Sequence, residues 1–190
     1  MKRKNFIIAI ITLLVLSNLI FFYRSYSYKK FVRYNAFYYI ESSVTRTYEE
    51  IYQLKLHEAK KGEFYKIEQI SKILNELEHC NYNNDYLIRY YRKFHNKGFH
   101  NNMDRYSFFQ VYIRFLEPIR QGLYEGDCNN EKFKQDINSL YDDFKYIKTE
   151  ITKLYEKSEN KDININSYIN IFNNIETNSK IIKDIQESVM

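Results

Sequence analysis

Residues 6–23 read FIIAIITLLVLSNLIFFY, eighteen consecutive positions without a charge, preceded by Lys2, Arg3 and Lys4. As a helix this stretch is about 27 Å long, at about 1.5 Å per residue. That is close to the roughly 30 Å hydrocarbon thickness of a bilayer. It reads as a transmembrane anchor. Residues 1–5 then form a basic N-terminal tail, 24–33 a basic juxtamembrane segment, and 34–190 a polar, periodic domain.

A cleaved signal peptide has a shorter apolar core, of about 7–15 residues, and a small-x-small site after it. Here the one candidate site is Ser25-Tyr26-Ser27, directly behind Arg24, and no Cys follows the core to take a lipid. An uncleaved signal anchor is expected. Asn18 is the one strongly polar residue inside the span. It either meets a partner helix or reaches the interface from near the end of the span. The next most apolar window, Tyr106 to Ile119, is short and holds Arg114, so it reads as a core helix and the chain as single-pass.

Lys and Arg on the two sides of a span set its orientation. Lys2, Arg3, Lys4 and the amino group stand on one side, and Arg24, Lys29, Lys30 and Arg33 on the other. The two sets nearly balance. A short, highly charged tail is hard to translocate, so the expected topology is N-terminus inside and domain outside. Residues 1–61 hold 11 basic and 4 acidic side chains, so positive charge gathers beside the membrane. Arg24, Lys29, Lys30 and Arg33 are the expected contacts to anionic lipid headgroups.

The chain has 4 Gly and 1 Pro, too little turn punctuation for sheets and long loops. The fold class is therefore all-α: an anchor followed by an up-and-down antiparallel bundle of about five to six helices. Twenty Tyr and 14 Phe accompany no Trp. Tyr and Phe, like the abundant Ile, Lys and Asn, have AT-rich codons, so base composition accounts for the bias without a special aromatic function.

Hydrophobic periodicity predicts six helices in the domain. The first covers about 30–61, either continuous with the anchor or separate from it, with Phe37, Ile40, Val44, Thr47, Ile51 and Leu54 inward and Gly62 as its stop. The second covers about 63–79, with Phe64, Ile67, Ile70, Leu74 and Leu77 inward. Asn81-Tyr82-Asn83-Asn84 is expected to break it, because Asn competes for backbone hydrogen bonds. A third, 85–97, places Leu87, Tyr90, Tyr91 and Phe94 inward and Arg89, Arg92 and Lys93 outward, with Asn101 or Asn102 capping the next. A fourth, 103–122, is apolar nearly all round and so expected to be central, with Pro118 kinking or shortening its last turn. A fifth starts at Asn129 or Asn130 and carries the cleanest seam: Phe133, Ile137, Leu140, Phe144, Ile147, Ile151 and Leu154. A sixth, after a polar break at 158–162, runs through Tyr168, Ile171, Ile175, Asn178, Ile182, Ile185 and Val189. Asn178 either sits in the seam and fixes register or lies on the rim. An intermolecular coiled coil of the last two helices is the alternative architecture.

Chemistry-bearing patterns are sparse. Cys80 and Cys128 are the two cysteines. Counting helices up and down places both at the membrane-proximal end, where an oxidising exterior would permit a disulfide; two free thiols are the alternative. Glu76-Leu77-Glu78-His79 holds one Glu-x-x-His, where di-iron bundles use two. His79 at an exposed helix C-terminus, meeting the dipole, is the plainer reading. His57, His95 and His100 show no ligand spacing, and His79 with Cys80 is too little for zinc. Arg89, Arg92 and Lys93 with interleaved aromatics resemble a single-stranded nucleic-acid groove. Periodicity instead turns the aromatics inward, so no nucleic-acid partner is expected. No phosphate-binding glycine loop, Gly-x-Ser-x-Gly or His-Glu-x-x-His is present. No catalytic residue, metal or cofactor is indicated. The expected function is a non-catalytic binding or scaffold protein of the cell envelope, with membrane lipid and an envelope protein as partners. A ligand-sensing bundle that signals through a partner is the alternative, and a metal-dependent enzyme the third.

Overall fold

The computed structural model describes residues 2–95, 108–158 and 163–189, and within these the side chains of all but 2–9, 28, 29, 31–33, 90–95, 176 and 186–189. Among the described residues the chain is helical, with no strand. The order is α1 (Lys2–His57), α2 (Glu63–His95), α3 (Phe108–Glu125), α4 (Asn130–Lys157), α5 (Ile165–Asn178) and α6 (Lys180–Val189).

The first helix runs without a break from the apolar stretch into the domain. Among the described side chains, Ala36 is the first that is buried. Phe37, Ile40, Val44, Thr47, Ile51 and Leu54 are then all buried on a three-four stripe. Thr47 is tolerated in that stripe because its hydroxyl donates to the Ser43 carbonyl at 2.8 Å. The His57 carbonyl accepts from both Lys60 and Lys61 N–H groups, so α1 ends a turn before the expected Gly62.

No break occurs at Asn81–Asn84; α2 is one helix to His95. Each asparagine costs a few tenths of a kcal/mol in helix propensity, but each has a partner within the fold. Asn83 donates to the His79 carbonyl at 2.9 Å. Asn81 donates to Gln110 at 3.4 Å. Asn84 is buried and accepts from the Tyr168 hydroxyl at 2.7 Å. The inward stripe passes straight through the run: Leu74, Leu77, Cys80, Asn84 and Leu87 are all buried. Phe64, expected inward, is 82% exposed at the tip of α2.

The expected start of the fourth helix at 103–107, its caps Asn101 and Asn102, and the polar break at 159–162 lie outside the described residues. Within them, α3 continues past Gly122 to Glu125 with Pro118 exposed inside it. It stops where Gly126 takes φ 76°, the left-handed conformation that a helix C-terminus accommodates with glycine. It is not the axis of the bundle. Phe108, Phe109, Tyr112, Ile113, Leu116 and Leu123 are buried, whereas Val111, Phe115 and Ile119 are only partly covered.

Asn129 caps α4, its side-chain oxygen accepting from the Glu131 and Lys132 N–H groups at 3.0 and 3.1 Å. The α4 seam is buried from Phe133 to Ile151 as its spacing requires. Asn164 caps α5 in the same way. The expected single sixth helix is divided at Ser179, whose backbone is extended and whose hydroxyl accepts from the Ile182 N–H at 3.2 Å to cap α6. That division puts Asn178 on the rim, exposed and donating to the Asn174 carbonyl, while Ser179, Ile181 and Ile182 are buried.

Contacts fix the topology. His57 packs on Tyr65, and Arg46 lies 3.6 Å from Glu76, so α2 returns antiparallel to α1. Lys66 donates to Asn130 at 3.0 Å; the α3–α4 connection therefore sits at the far end, beside the start of α2. α3 thus runs outward and α4 back, its Tyr141 facing Tyr48 and its Tyr155 facing Tyr34. At the near end, where α1 joins the bundle, Tyr168 of α5 packs on Phe37. From there α5 and α6 run outward again. One continuous hydrophobic core joins all the columns.

Candidate functional site

The dominant surface feature is the first half of α1. Every residue from Ile10 to Arg24 is exposed, including ten large apolar side chains from Ile10 to Phe22. At about 1.5 kcal/mol for each Leu, Ile, Val or Phe left in water, such a helix standing in solvent would cost on the order of 15 kcal/mol. That is the free energy open to apolar surroundings that cover the helix. Among the described residues it is also the one helix long and apolar enough to cross a membrane, its window being Ile10–Ser27. Arg24 and Lys30 are exposed on the flank. The side chains of Lys29 and Arg33 lie outside the described residues.

Beyond the flank, α1 and α4 are joined by tyrosines. Tyr34 and Tyr155 share a hydrogen bond of 3.0 Å between hydroxyls, and Tyr48 and Tyr141 one of 3.1 Å. Lys55 lies 4.0 Å from the Tyr141 ring centre and Lys148 4.8 Å from that of Tyr48, within cation–π range. The hydrogen bond to Tyr141, with burial, pushes Tyr48 up to about 12; that to Tyr34 does the same for Tyr155. Tyr48 and Tyr155 stay neutral at physiological pH, and the seam acts as a structural fastening between helices.

The cysteines are both free and stand apart. Cys80 is fully buried in α2 beside Thr47, and burial, then the Glu76 carboxylate, pushes its thiol well up. Cys128 is half-buried at the far end, near Lys66 and Glu63. Cys80 lies fourteen residues beyond Lys66, about 21 Å along the helix, whereas a bridge needs Cα atoms within about 7 Å. The expected pairing fails because it rested on a helix break at Asn81–Asn84. Without that break the parity of every later helix inverts, and Cys128 moves to the opposite end.

His79 is not at a helix terminus but on the exposed face of a continuous α2, and Glu76 turns inward toward Arg46. The Glu-x-x-His pair therefore does not converge. Among the described residues no group of three His, Cys, Asp or Glu side chains is placed to hold a metal. Arg89 is exposed and lies 3.9 Å from Asp85; the side chains of Arg92 and Lys93, like Tyr90, Tyr91, Phe94 and His95, lie outside the described residues, as does His100.

Two arrangements were not foreseen. One is an open groove of about 440 Å³ between α2 and α3, lined by Glu78, Asn81, Asp85, Arg89, Gln110 and Glu117 among others. Its α2 residues share one face only because the helix is unbroken. The other is a half-buried polar knot. Asp143 accepts from the Tyr112 hydroxyl at 2.9 Å and from the Ser179 hydroxyl at 2.5 Å. Burial raises the Asp143 carboxyl above its ordinary range, although both hydrogen bonds act to lower it. The knot ties the α5–α6 junction to α3 and α4.

Comparison of the chain with known protein families, with characterised proteins and with solved structures finds no match.

Proposed function

We propose that this is a single-pass membrane protein that holds a helical bundle at the outer face of the cell membrane and acts by binding an envelope partner rather than by catalysis. The observation that carries the reading is the exposed apolar stretch Ile10–Tyr23 of α1, continuous with a domain that has a core of its own. A bilayer covers such a helix along its whole length and satisfies its apolar surface, while the helix satisfies its own backbone hydrogen bonds. Arg24 and Lys30, with Lys29 and Arg33, would then meet the headgroup layer. The uninterrupted helix across the boundary holds the bundle at a fixed distance and orientation, which suits a scaffold.

Alkaline carbonate extraction of membranes from expressing cells tests the anchor: the full chain should stay in the pellet and leave it only with detergent. Release by carbonate would sink the reading. For the binding role, crosslinking of intact cells followed by purification should recover the same envelope protein repeatedly, and recovery of none would count against it.

The groove between α2 and α3 supports a second reading, ligand sensing. A small polar molecule held there would raise the melting temperature of the detergent-solubilised chain. Substitution of Gln110 by Leu should remove that rise if the groove is its site.

A further inference from the structure

We infer that Asn18 pairs two copies of this chain inside the membrane; the inference rests on the anchor reading above. Within the span 6–23, Asn18 lies about 5 Å from the midpoint at 1.5 Å per residue. It is therefore about 10 Å beneath the nearer surface of a roughly 30 Å hydrocarbon layer.

The side chain could escape this position only by reaching toward that nearer surface. The structure points it the other way. Helical Cα–Cβ bonds tilt toward the N-terminus, and Asn18 follows, its amide nitrogen donating to the Leu14 carbonyl at 2.9 Å. That hydrogen bond carries the carboxamide toward the membrane centre. Ser17, the neighbouring hydroxyl, donates to the same carbonyl at 2.9 Å and is satisfied by its own helix. A carboxamide has two N–H donors and an oxygen with two lone pairs. The bond to Leu14 uses one donor. The oxygen and the other N–H belong to an exposed residue, and in hydrocarbon a polar group without a partner is costly.

A second copy is the occupant this geometry fits. A carboxamide is self-complementary: each oxygen can accept from the other's N–H across a two-fold axis. Two copies inserted with the same topology carry Asn18 to the same depth, so register follows without further design. Ile11, Leu14, Phe21 and Phe22, all exposed, flank Asn18 at three, four and seven residues. These are the spacings at which facing helices pack.

The test uses the full chain in vesicles of phosphatidylcholine and phosphatidylglycerol, labelled on Cys128 with donor or acceptor dyes; Cys80 is fully buried and leaves one reactive site. Energy transfer between wild-type copies should persist on dilution with lipid and fall when unlabelled chain is added. Asn18→Leu should weaken association about 3- to 30-fold. Asn18→Gln, which keeps the carboxamide, should restore most of it. Flotation of the same vesicles reports insertion separately. A chain that floats but shows no transfer beyond random proximity overturns the pairing alone. So does an Asn18→Leu variant that associates as tightly as the wild type. A chain that does not float overturns the anchor reading, and the pairing with it.

Discussion

The half-buried knot at Asp143 gives the sharpest test of how the last two helices are held. Replacing Asp143 by Ala removes the acceptor for both the Tyr112 and Ser179 hydroxyls. Tyr112 is fully buried and Ser179 nearly so, so neither hydroxyl regains water without opening the core. The two hydroxyls also lie within hydrogen-bond reach of each other, so one donor is stranded and the substitution should cost about 1–3 kcal/mol. Asp143→Asn keeps an oxygen in place and should cost much less. The two variants also differ in pH dependence. The carboxyl of Asp143 is raised in the folded state, chiefly by burial, so the folded protein holds that proton more tightly than the unfolded chain. The resulting stability is fully present below the ordinary carboxyl value of about 3.9 and is lost as pH rises through the raised value. Wild type minus Asp143→Asn should therefore decline with pH across that window. The difference cancels Asp136, whose carboxyl burial also raises. Urea unfolding of the detergent-solubilised full chain, followed by circular dichroism between about pH 3.5 and 7, measures both effects. An Asp143→Ala variant within about 0.5 kcal/mol of wild type, or a difference that rises with pH, would refute the knot as described.

Other consequences follow from the same packing. Asn84→Ala should cost about 1–3 kcal/mol by stranding the buried Tyr168 hydroxyl; a neutral result in the same urea assay would mean that α2 does not pass through that position intact. Leu77→Ala should cost about 2–5 kcal/mol, whereas Phe64→Ala should change stability by less than about 0.5 kcal/mol, the reverse of what two members of one stripe would show. Oxidation of the purified native chain should give no intramolecular Cys80–Cys128 bridge on non-reducing mass analysis; a two-proton mass loss from folded monomer would contradict the placement of the two thiols.

Much of this was legible in the residues, and the largest miss has one cause. The α4 seam, its Asn129 cap and the inward stripe of α1, including Thr47, were readable because periodicity and capping chemistry agree there. The run Asn81–Asn84 was misread because Asn was weighed by its intrinsic preference alone. Tertiary partners override that preference: Gln110 and Tyr168 lie 29 and 84 residues away and leave no local trace. A local signal did exist, since the inward phase from Leu77 through Cys80 and Asn84 to Leu87 never shifts. One missed continuity then inverted the direction of each later helix. It misplaced Cys128 and hid the α2–α3 groove. At Ser179 the opposite happened: a hydroxyl that caps α6 divides an apparently continuous seam, and its partner Asp143 belongs to another helix.

Thiol labelling at Cys128 tests the outward-facing anchored bundle most directly. Cys128 is half-buried at the far end, while Cys80 is fully buried and serves as the internal control. Intact cells would be treated with a membrane-impermeant maleimide at about pH 8, where enough thiolate forms, and compared with lysed but undenatured membranes. A bundle outside the membrane requires Cys128 to react equally in both and Cys80 to react only after denaturation. Cys128 protected in intact cells yet reactive on lysis would place the bundle on the inner side and contradict the proposed topology.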